Sequence, residues 1–435
     1  MELAKRMFTR QIIERRPSKA IVAGWVEEIR VIGKLVFVVL RDREGKIQIV
    51  APKDKVSQGV FEELSNLTKE SVIAVSGEVI QNPEAPFGVE LLPKEVVVLG
   101  RAESPLPLEF LKVDSSLDKR LDYRFLDLRH PKHLLIFKLG SYLESEIRKF
   151  FLKQGFIEVH TPKLVAAATE GGANLFKVEY FERDAYLAQS PQLYKQMLVI
   201  AGFERVFEIS QVYRAEPHHT TKHLCEYTSI DFELGFIDGV NNVIEVVERC
   251  VGNALRKAMK TPEFKEFGVQ LLLPKRFPRI TYREAYRFMK EIGKKFEWGK
   301  EIGSENEIEL WKKIREEKKS DLYFLTEFPW EERPFYTMRL QDAPEFTTGF
   351  DLIFKGMEIV TGSQREHRYE ILLQQLKEKG LNPDSFQFYL TAFKYGAPPH
   401  GGAAIGSERL LMQVLELKNI RETTIFPRDP KRISP

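Results

Sequence analysis

The chain has 435 residues, 43% hydrophobic and 30% charged, which describes a folded protein of two or three domains and excludes a disordered or fibrous one. Lys and Arg outnumber Asp and Glu by 66 to 63, a net charge of +3 that is too small to mark a nucleic-acid binder by itself. No stretch approaches the ~20 apolar residues of a membrane span, no apolar run marks a signal peptide before Lys19, and Cys225 and Cys250 have no CxxC partner, which argues against a disulfide framework or zinc and suits a reducing cytoplasm.

Residues 1–104 read as β structure. Ala20–Val26, Leu35–Leu40, Ile47–Ala51, Ser71–Val79 and Val89–Leu99 are β-branched or aromatic runs, divided by turn signals such as Asp42-Arg-Glu-Gly45 and Asn82-Pro83. With a helical stretch near Phe61–Leu67, these strands suit a small OB-type barrel, a single-sheet sandwich being the other arrangement open to them. Glu103-Ser-Pro-Leu-Pro-Leu108 breaks regular structure, so 105–130 is read as a linker.

A second domain, 131–435, opens on a helix over 133–153, where Leu134, Phe137, Leu143, Ile147, Phe150 and Phe151 recur at mostly helical spacing. Gly155 ends it and Phe156–Pro162 continues extended. From there to about 236 the pattern alternates short strands and loops. Residues 240–345 are more charged and more helical, with helices over Val243–Met259, Tyr282–Ile292 and Glu307–Lys318, and read as an insertion outside the sheet. Strands return at Gly349–Lys355 and Met357–Val360, a helix follows at Tyr369–Lys379, and Gly401–Leu417 turns from glycines into an amphipathic helix. The fold class is α/β of the α+β kind.

Four segments could carry chemistry, and each has an ordinary reading beside the functional one. Arg214 and Glu216, two apart on a strand, share a face on which Arg holds a phosphate and Glu accepts from a base amino group; alone, such a pair is usually an exposed ion pair. Gly401-Gly-Ala-Ala-Ile-Gly406-Ser-Glu-Arg409 allows a close backbone approach to a planar base and offers an Arg to a terminal phosphate, or is simply a tight strand-to-helix turn; it is neither GxGxxG nor a P-loop. Asp351 and Glu358, on a hairpin turning at Phe354-Lys-Gly-Met357, could share a divalent ion or merely be exposed. Lys195 and Arg365, in polar islands among apolar strands, could neutralise a small acidic substrate, since a buried carboxylate needs paired donors.

Taken together, in this order and spacing, these segments resemble the signature motifs of the class II aminoacyl-tRNA synthetases of the aspartyl, asparaginyl and lysyl subgroup. Gly155-Phe-Ile-Glu-Val-His-Thr-Pro162 resembles motif 1, whose proline usually sits at a dimer interface. Phe207 through Glu216 to Glu226 resembles motif 2, and Gly401 through Arg409 resembles motif 3. The likeness spans nearly the whole chain, including an N-terminal anticodon-binding OB domain and the C-terminal Phe426–Arg432. It implies a catalytic domain built on an antiparallel sheet flanked by helices, of the archaeal and eukaryotic type. Gln189-Ser-Pro-Gln-Leu-Tyr-Lys-Gln196 resembles the aspartyl enzymes within the subgroup.

The resemblance implies ATP-dependent activation of aspartate and its transfer to tRNA(Asp), with Mg²⁺ and a homodimer. By position, Glu170 in the loop Thr169–Gly172 meets the substrate ammonium, Gln192 and Lys195 line the side-chain pocket, and Arg365 holds the β-carboxylate, with Thr361 beside it. Arg214 bridges the substrate carboxylate and the α-phosphate. Arg214, Ala215, Glu216, Lys222, His223, Leu224, Glu358, Gly406, Ser407, Glu408 and Arg409 hold ATP, while Asp351, Glu358 and Thr361 hold magnesium; Arg214, Arg409 and Glu358 are the catalytic set. Lys195 and Arg365 are expected to reject asparagine because an amide leaves them as uncompensated cations. Phe37 stacks on an anticodon base, unless it is a core residue, and Gln48 and Glu90 read base edges. Relatives strict for tRNA(Asp) often carry Trp near Glu27 and Lys near Pro86; this chain has neither, which leans towards charging of tRNA(Asn) as well. The competing readings are an asparaginyl-tRNA synthetase, a tRNA-independent asparagine synthetase, and a non-catalytic RNA-binding paralogue.

Overall fold

The computed structural model describes residues 1–111, 115–166, 174–217, 220–294, 296–300 and 302–435. They form two compact units, Met1–Ser115 and Ser116–Pro435.

In the first unit, strands β1 (Lys19–Ile32), β2 (Leu35–Arg41), β3 (Lys46–Pro52), β4 (Val72–Gln81) and β5 (Val89–Gly100) close into a barrel in the order β1-β2-β3-β5-β4. The pairing of β1 with β4 and of β3 with β5 closes the sheet into a barrel rather than a sandwich, and the inward faces of the strands fill it. In β2, Val36, Val38 and Leu40 are fully buried while Phe37 and Val39 point outward, half-buried. The Gln58–Ser65 helix joins β3 to β4, its first turn capped by the Ser57 hydroxyl, which accepts from the Val60 amide.

The second unit is built on an eight-stranded sheet ordered β12-β13-β14-β15-β16-β11-β10-β6. Its members are β6 (Ile157–Glu158), β10 (Arg205–Tyr213), β11 (Glu226–Gly235), β12 (Arg279–Thr281), β13 (Leu322–Thr326), β14 (Phe350–Phe354), β15 (Met357–Gln364) and β16 (His400–Gly406), and the small sheet β7 (Leu164–Val165), β9 (Arg183–Leu187), β8 (Lys177–Tyr180) lies apart from it. Pairing is antiparallel except at β10/β6 and β12/β13. Helices Pro131–Lys153 and Val240–Ala258 bury Leu139, Leu143, Ile147, Val247, Val251 and Leu255 in one core with the sheet's Phe207, Ile230, Leu352 and Ile405.

Three elements depart from the sequence reading. The stretch expected to hold only short strands and loops contains the Gln192–Leu198 helix, which carries Lys195. Residues 240–345 are not wholly outside the sheet: they contribute β12 and β13, and the Val240–Ala258 helix belongs to the main core. Arg214 and Glu216 lie beyond the end of β10, in the loop after Tyr213, so a shared strand face does not bring them together.

Candidate functional site

A cavity of about 620 Å³ opens over the faces of β11, β15 and β16. At one end, Arg365, just past β15, meets Glu233 of β11 in a fork: Nε donates to Oε1 at 2.9 Å and a terminal nitrogen to Oε2 at 3.2 Å. The other terminal nitrogen donates to Ser363 Oγ at 2.7 Å, and Gln192 Oε1 accepts from the guanidinium at 3.3 Å. Burial works against the Arg365 charge, but Glu233 outweighs it and the guanidinium pKa is raised. Lys195, buried, donates to Asp231 Oδ1 at 2.9 Å and to the Ala403 carbonyl at 3.4 Å, with Glu233 3.6 Å away. Asp231 is also held by the Ser229 hydroxyl at 2.5 Å.

Both cations are therefore answered by carboxylates of β11, which differs from the expectation of uncompensated charges. What the pocket offers instead is oriented donors. Gln192 and Asp231 line it, Lys195 stands behind Asp231, and Gln192 Nε2 is buried without a hydrogen-bond partner among the described residues. Because Gln192 Oε1 accepts from Arg365, the amide nitrogen is the atom left to donate.

Gly402 allows this packing. A Cβ there would come within 2.1 Å of Glu233 Oε2 and of the Phe232 carbonyl. At this position the glycine of β16 serves the buried ion pair.

At the other end the motif residues converge. Arg214 lies 3.9 Å from Glu216 and 5.8 Å from the Tyr227 ring; His223 Nε2 is 3.8 Å from Glu216. Leu224 and Gly406 line the same wall. Burial lowers the Lys222 pKa. Arg409, in the first turn of the Ser407–Leu415 helix, reaches the Glu358 carbonyl at 3.2 Å and its carboxylate at 3.4 Å. Ser407 turns away, donating to Glu144 at 2.7 Å, and the Ala215 amide donates to the Asn174 carbonyl at 2.7 Å. Glu170 lies outside the described residues.

Asp351 and Thr361 are cross-strand partners on β14 and β15, and the connecting turn takes Lys355 and Gly356 at φ 48° and 76°, the left-handed pair of a tight hairpin. Arg333 donates to Asp351 Oδ2 at 2.7 Å and to Thr361 Oγ1 at 2.9 Å. Burial raises the Asp351 pKa while Arg333 works to lower it. Glu307, from the Ser304–Lys318 helix, also faces the cavity; burial, with Glu358 and Asp351 close by, pushes its carboxyl up to about 8.

Asp231, Glu233, Glu307 and Arg333 were not identified from sequence. Asp231 and Glu233 carried a signal, two carboxylates at strand spacing in an apolar run, whereas Glu307 and Arg333 sit in the stretch taken for an insertion.

Glu408 lies beside Arg409 and fastens the helix to β11, its oxygens accepting from the Thr228 amide at 2.9 and 3.0 Å. Burial pushes this carboxyl up to about 7. The unfolded chain sheds the proton near pH ~4.3, so native stability falls as pH rises from there to the folded value. Glu408→Gln, which does not ionise, is expected to melt close to the parent at pH 5 and above it at pH 8. Thermal denaturation at the two pH values tests this; an equal difference at both would mean that the Thr228 amide stabilises the ionised form.

On the barrel, Phe37, Gln48 and Glu90 share the outer face of β2, β3 and β5, and Gln48 Nε2 donates to Glu90 at 2.7 Å. Phe37 is not a core residue: its neighbours Val36 and Val38 fill the interior.

Residues 116–430 match the family model of tRNA synthetases class II (D, K and N), and residues 20–99 match that of the OB-fold nucleic acid binding domain. The chain is 48% identical to an aspartate–tRNA(Asp) ligase of Pyrococcus horikoshii over 98% of its own length and 99% of the relative's. It is also 48% identical to an aspartate–tRNA(Asp/Asn) ligase of Methanopyrus kandleri over 100% of both. Among solved structures, asparaginyl-tRNA synthetase from Pyrococcus horikoshii complexed with asparaginyl-adenylate superposes with a TM-score of 0.94 at 32% identity, covering 100% of both chains. Aspartyl-tRNA synthetase from Entamoeba histolytica superposes at 0.87 and 31% identity, covering 96% of this chain and 90% of that one.

Proposed function

Since the chain belongs to the class II tRNA synthetases of the D, K and N group, we propose that it activates L-aspartate with ATP and transfers it to tRNA(Asp) and also to tRNA(Asn). The observation that carries the choice of aspartate is the donor-lined end of the cavity. Gln192 Nε2 and the guanidinium of Arg365 present only N–H groups there, with Lys195 behind Asp231. A β-carboxylate can accept from such donors with both oxygens, whereas the amide of asparagine has one acceptor oxygen and leaves a donor unanswered. Polar mismatches of this kind discriminate by ~10⁴ or more without editing. The aspartate ligases at 48% identity support the same choice. The asparaginyl alternative shares the fold, at 32% identity against 48% for the aspartate ligases.

The chemistry needs no general base, because an amino-acid carboxylate is already ionised at neutral pH. The α-carboxylate of aspartate attacks the α-phosphorus in line and pyrophosphate leaves; then the terminal ribose hydroxyl of the tRNA attacks the carbonyl carbon of the mixed anhydride, AMP leaves, and the hydroxyl proton passes to the departing phosphate. Positioning and charge stabilisation therefore carry catalysis. We assign Arg214 to the bridge between carboxylate and α-phosphate, Arg409 to the far phosphates, and Glu216 with Lys222–Leu224 to the nucleotide. Asp351 and Glu358 supply the hard oxygen donors that suit magnesium, with Asp351 Oδ1 buried and lacking a hydrogen-bond partner among the described residues. Magnesium there would neutralise phosphate charge. Glu170 is assigned to the substrate ammonium. On the barrel, Phe37 is assigned to base stacking and Gln48 with Glu90 to base edges.

A second copy of the chain is proposed to cover the motif 1 region, where Leu152, Ile157 and Leu164 are exposed. A cytoplasmic setting is proposed, which the two free, buried cysteines suit; no described helix is long and apolar enough to cross a membrane.

Labelled aspartate and labelled asparagine, each offered with purified tRNA(Asp) and separately tRNA(Asn), test the proposal. Aspartate on both tRNAs is the expected result. Charging of tRNA(Asp) alone would discard the reading of Glu27 and Pro86, and attachment of asparagine would overturn the pocket argument.

A further inference from the structure

Arg333 is built into the cavity wall more firmly than a chance ion pair would be. It follows the short turn Trp330–Glu332, and only 12% of its side chain is exposed. The guanidinium lies over the Phe328 ring, 3.6 Å from its centroid. Gly349 leaves room for its stem, since a Cβ there would stand 3.1 Å from Arg333 Nε and 3.2 Å from Cδ. The backbone bearing Phe328 is pinned in turn, its carbonyl accepting from the Thr347 amide at 2.9 Å and the Thr347 hydroxyl at 3.0 Å. From this seat one terminal nitrogen takes Asp351 Oδ2 and the other Thr361 Oγ1, the two residues that face each other across β14 and β15.

The consequence concerns which oxygens remain for a ligand. Asp351 Oδ2 already accepts from a cation, and a second cation at the same atom would meet it at close range. Asp351 Oδ1 has no such partner and is buried. Glu358 lies on the same hairpin, and Glu307 adds a third carboxylate to this end of the cavity. A fixed guanidinium among these carboxylates holds the β14–β15 pair in register with the nucleotide end.

We propose that Arg333 is a positioning residue of the nucleotide site: it holds Asp351 by one oxygen and Thr361 by its hydroxyl, so that a divalent ion arriving with ATP meets Asp351 through Oδ1 alone, together with Glu358. Thr361 is then an acceptor for Arg333. The inference rests on the nucleotide reading of this cavity and adds a residue that none of the motif positions contains. Residues that orient a metal's ligands typically change metal affinity or activity by 10–100-fold when removed.

The test uses the full-length protein, Mg²⁺ and the non-hydrolysable analogue β,γ-methylene-ATP, with affinity measured calorimetrically in the absence of aspartate. Arg333→Met is expected to weaken Mg²⁺-dependent analogue binding on the order of 10-fold and to raise the Mg²⁺ midpoint of pyrophosphate exchange, while the aspartate KM moves by less than about 2-fold. Arg333→Lys should recover part of the binding, because an ammonium can pair with Asp351 but cannot span to Thr361 as a fork does. Unchanged analogue affinity and Mg²⁺ midpoint in a folded Arg333→Met protein would overturn the assignment, as would an equal rise in the KM of aspartate.

Should Arg333→Met not fold, Arg333→Lys decides: a raised Mg²⁺ midpoint with an unchanged aspartate KM supports the assignment, and an unchanged midpoint overturns it. Failure of the parent protein in aspartate-dependent exchange, with intact Mg²⁺-dependent analogue binding, would count against the proposed function and leave Arg333 standing.

Discussion

Arg365→Leu is expected to destabilise the second unit by about 3–5 kcal/mol and to abolish aspartate activation, the loss usual when one partner of a buried ion pair is removed. Glu233, its partner, has a fully buried side chain and accepts from Arg365 with both oxygens. Without the guanidinium, that carboxylate stays in the interior with Lys195 3.6 Å away and already donating to Asp231. Ser363 and Gln192 each lose a donor as well. Chemical denaturation followed by a signal from the second unit measures the cost. The double variant Arg365→Leu with Glu233→Gln should recover a good part of the stability and none of the activity, because most of the penalty belongs to the stranded charge and the catalytic loss does not. A single variant as stable as the parent would mean that water reaches Glu233, and the dry-pocket account of aspartate recognition would fall with it.

Arg214→Gln should do the opposite, leaving the fold intact and removing the chemistry. Its side chain is 36% exposed, so its pairing, with Glu216 at 3.9 Å and the Tyr227 ring at 5.8 Å among its contacts, is worth little to stability. Removing one donor aimed at charge that develops in a transition state typically lowers kcat by 10²–10³, or about 2.7–4 kcal/mol. Pyrophosphate exchange should fall by that factor, in kcat more than in the KM for ATP, with the melting temperature unchanged. A drop confined to KM would assign Arg214 to ground-state binding of the nucleotide. A drop in melting temperature of many degrees would return it to the ordinary role of a structural ion pair.

The two arginines differ in a way that pattern reading could not foresee. Arg214 is read from the sequence as half of an Arg-x-Glu pair and Arg365 as part of a polar island, and by residue type they are interchangeable. Burial separates them: Arg365 is locked to β11 by pairing across a long sequence distance, and Arg214 stands in a loop beyond β10. The same contrast holds for Lys195. Its helix had a readable start, since Ser190 and Pro191 precede it, Leu193 and Met197 lie four apart, and Ser190 Oγ accepts from the Gln192 amide at 3.3 Å. Seven residues are too few for periodicity to outweigh the strands on either side.

Local physics decided a good deal of this protein from sequence alone. The two-residue alternation of β3 turns Ile47 and Ile49 inward and puts Gln48 outside, whereas the unbroken apolar run of β2 left Phe37 open until the closed barrel placed it on the outer face. Lys355-Gly356 sets a tight hairpin, and the motif order is a property of the chain itself. These features depend on neighbours within a few residues, which is why they are legible. Only the tertiary structure decided which charges are paired. Asp231 and Glu233 of β11 meet Lys195 and Arg365, and Arg333 meets Asp351 and Thr361, because strands distant in sequence are adjacent in the sheet. Whether a carboxylate compensates a cation, holds a metal or stays protonated depends on burial and on what lies within a few ångströms, and neither quantity is written in the order of residues.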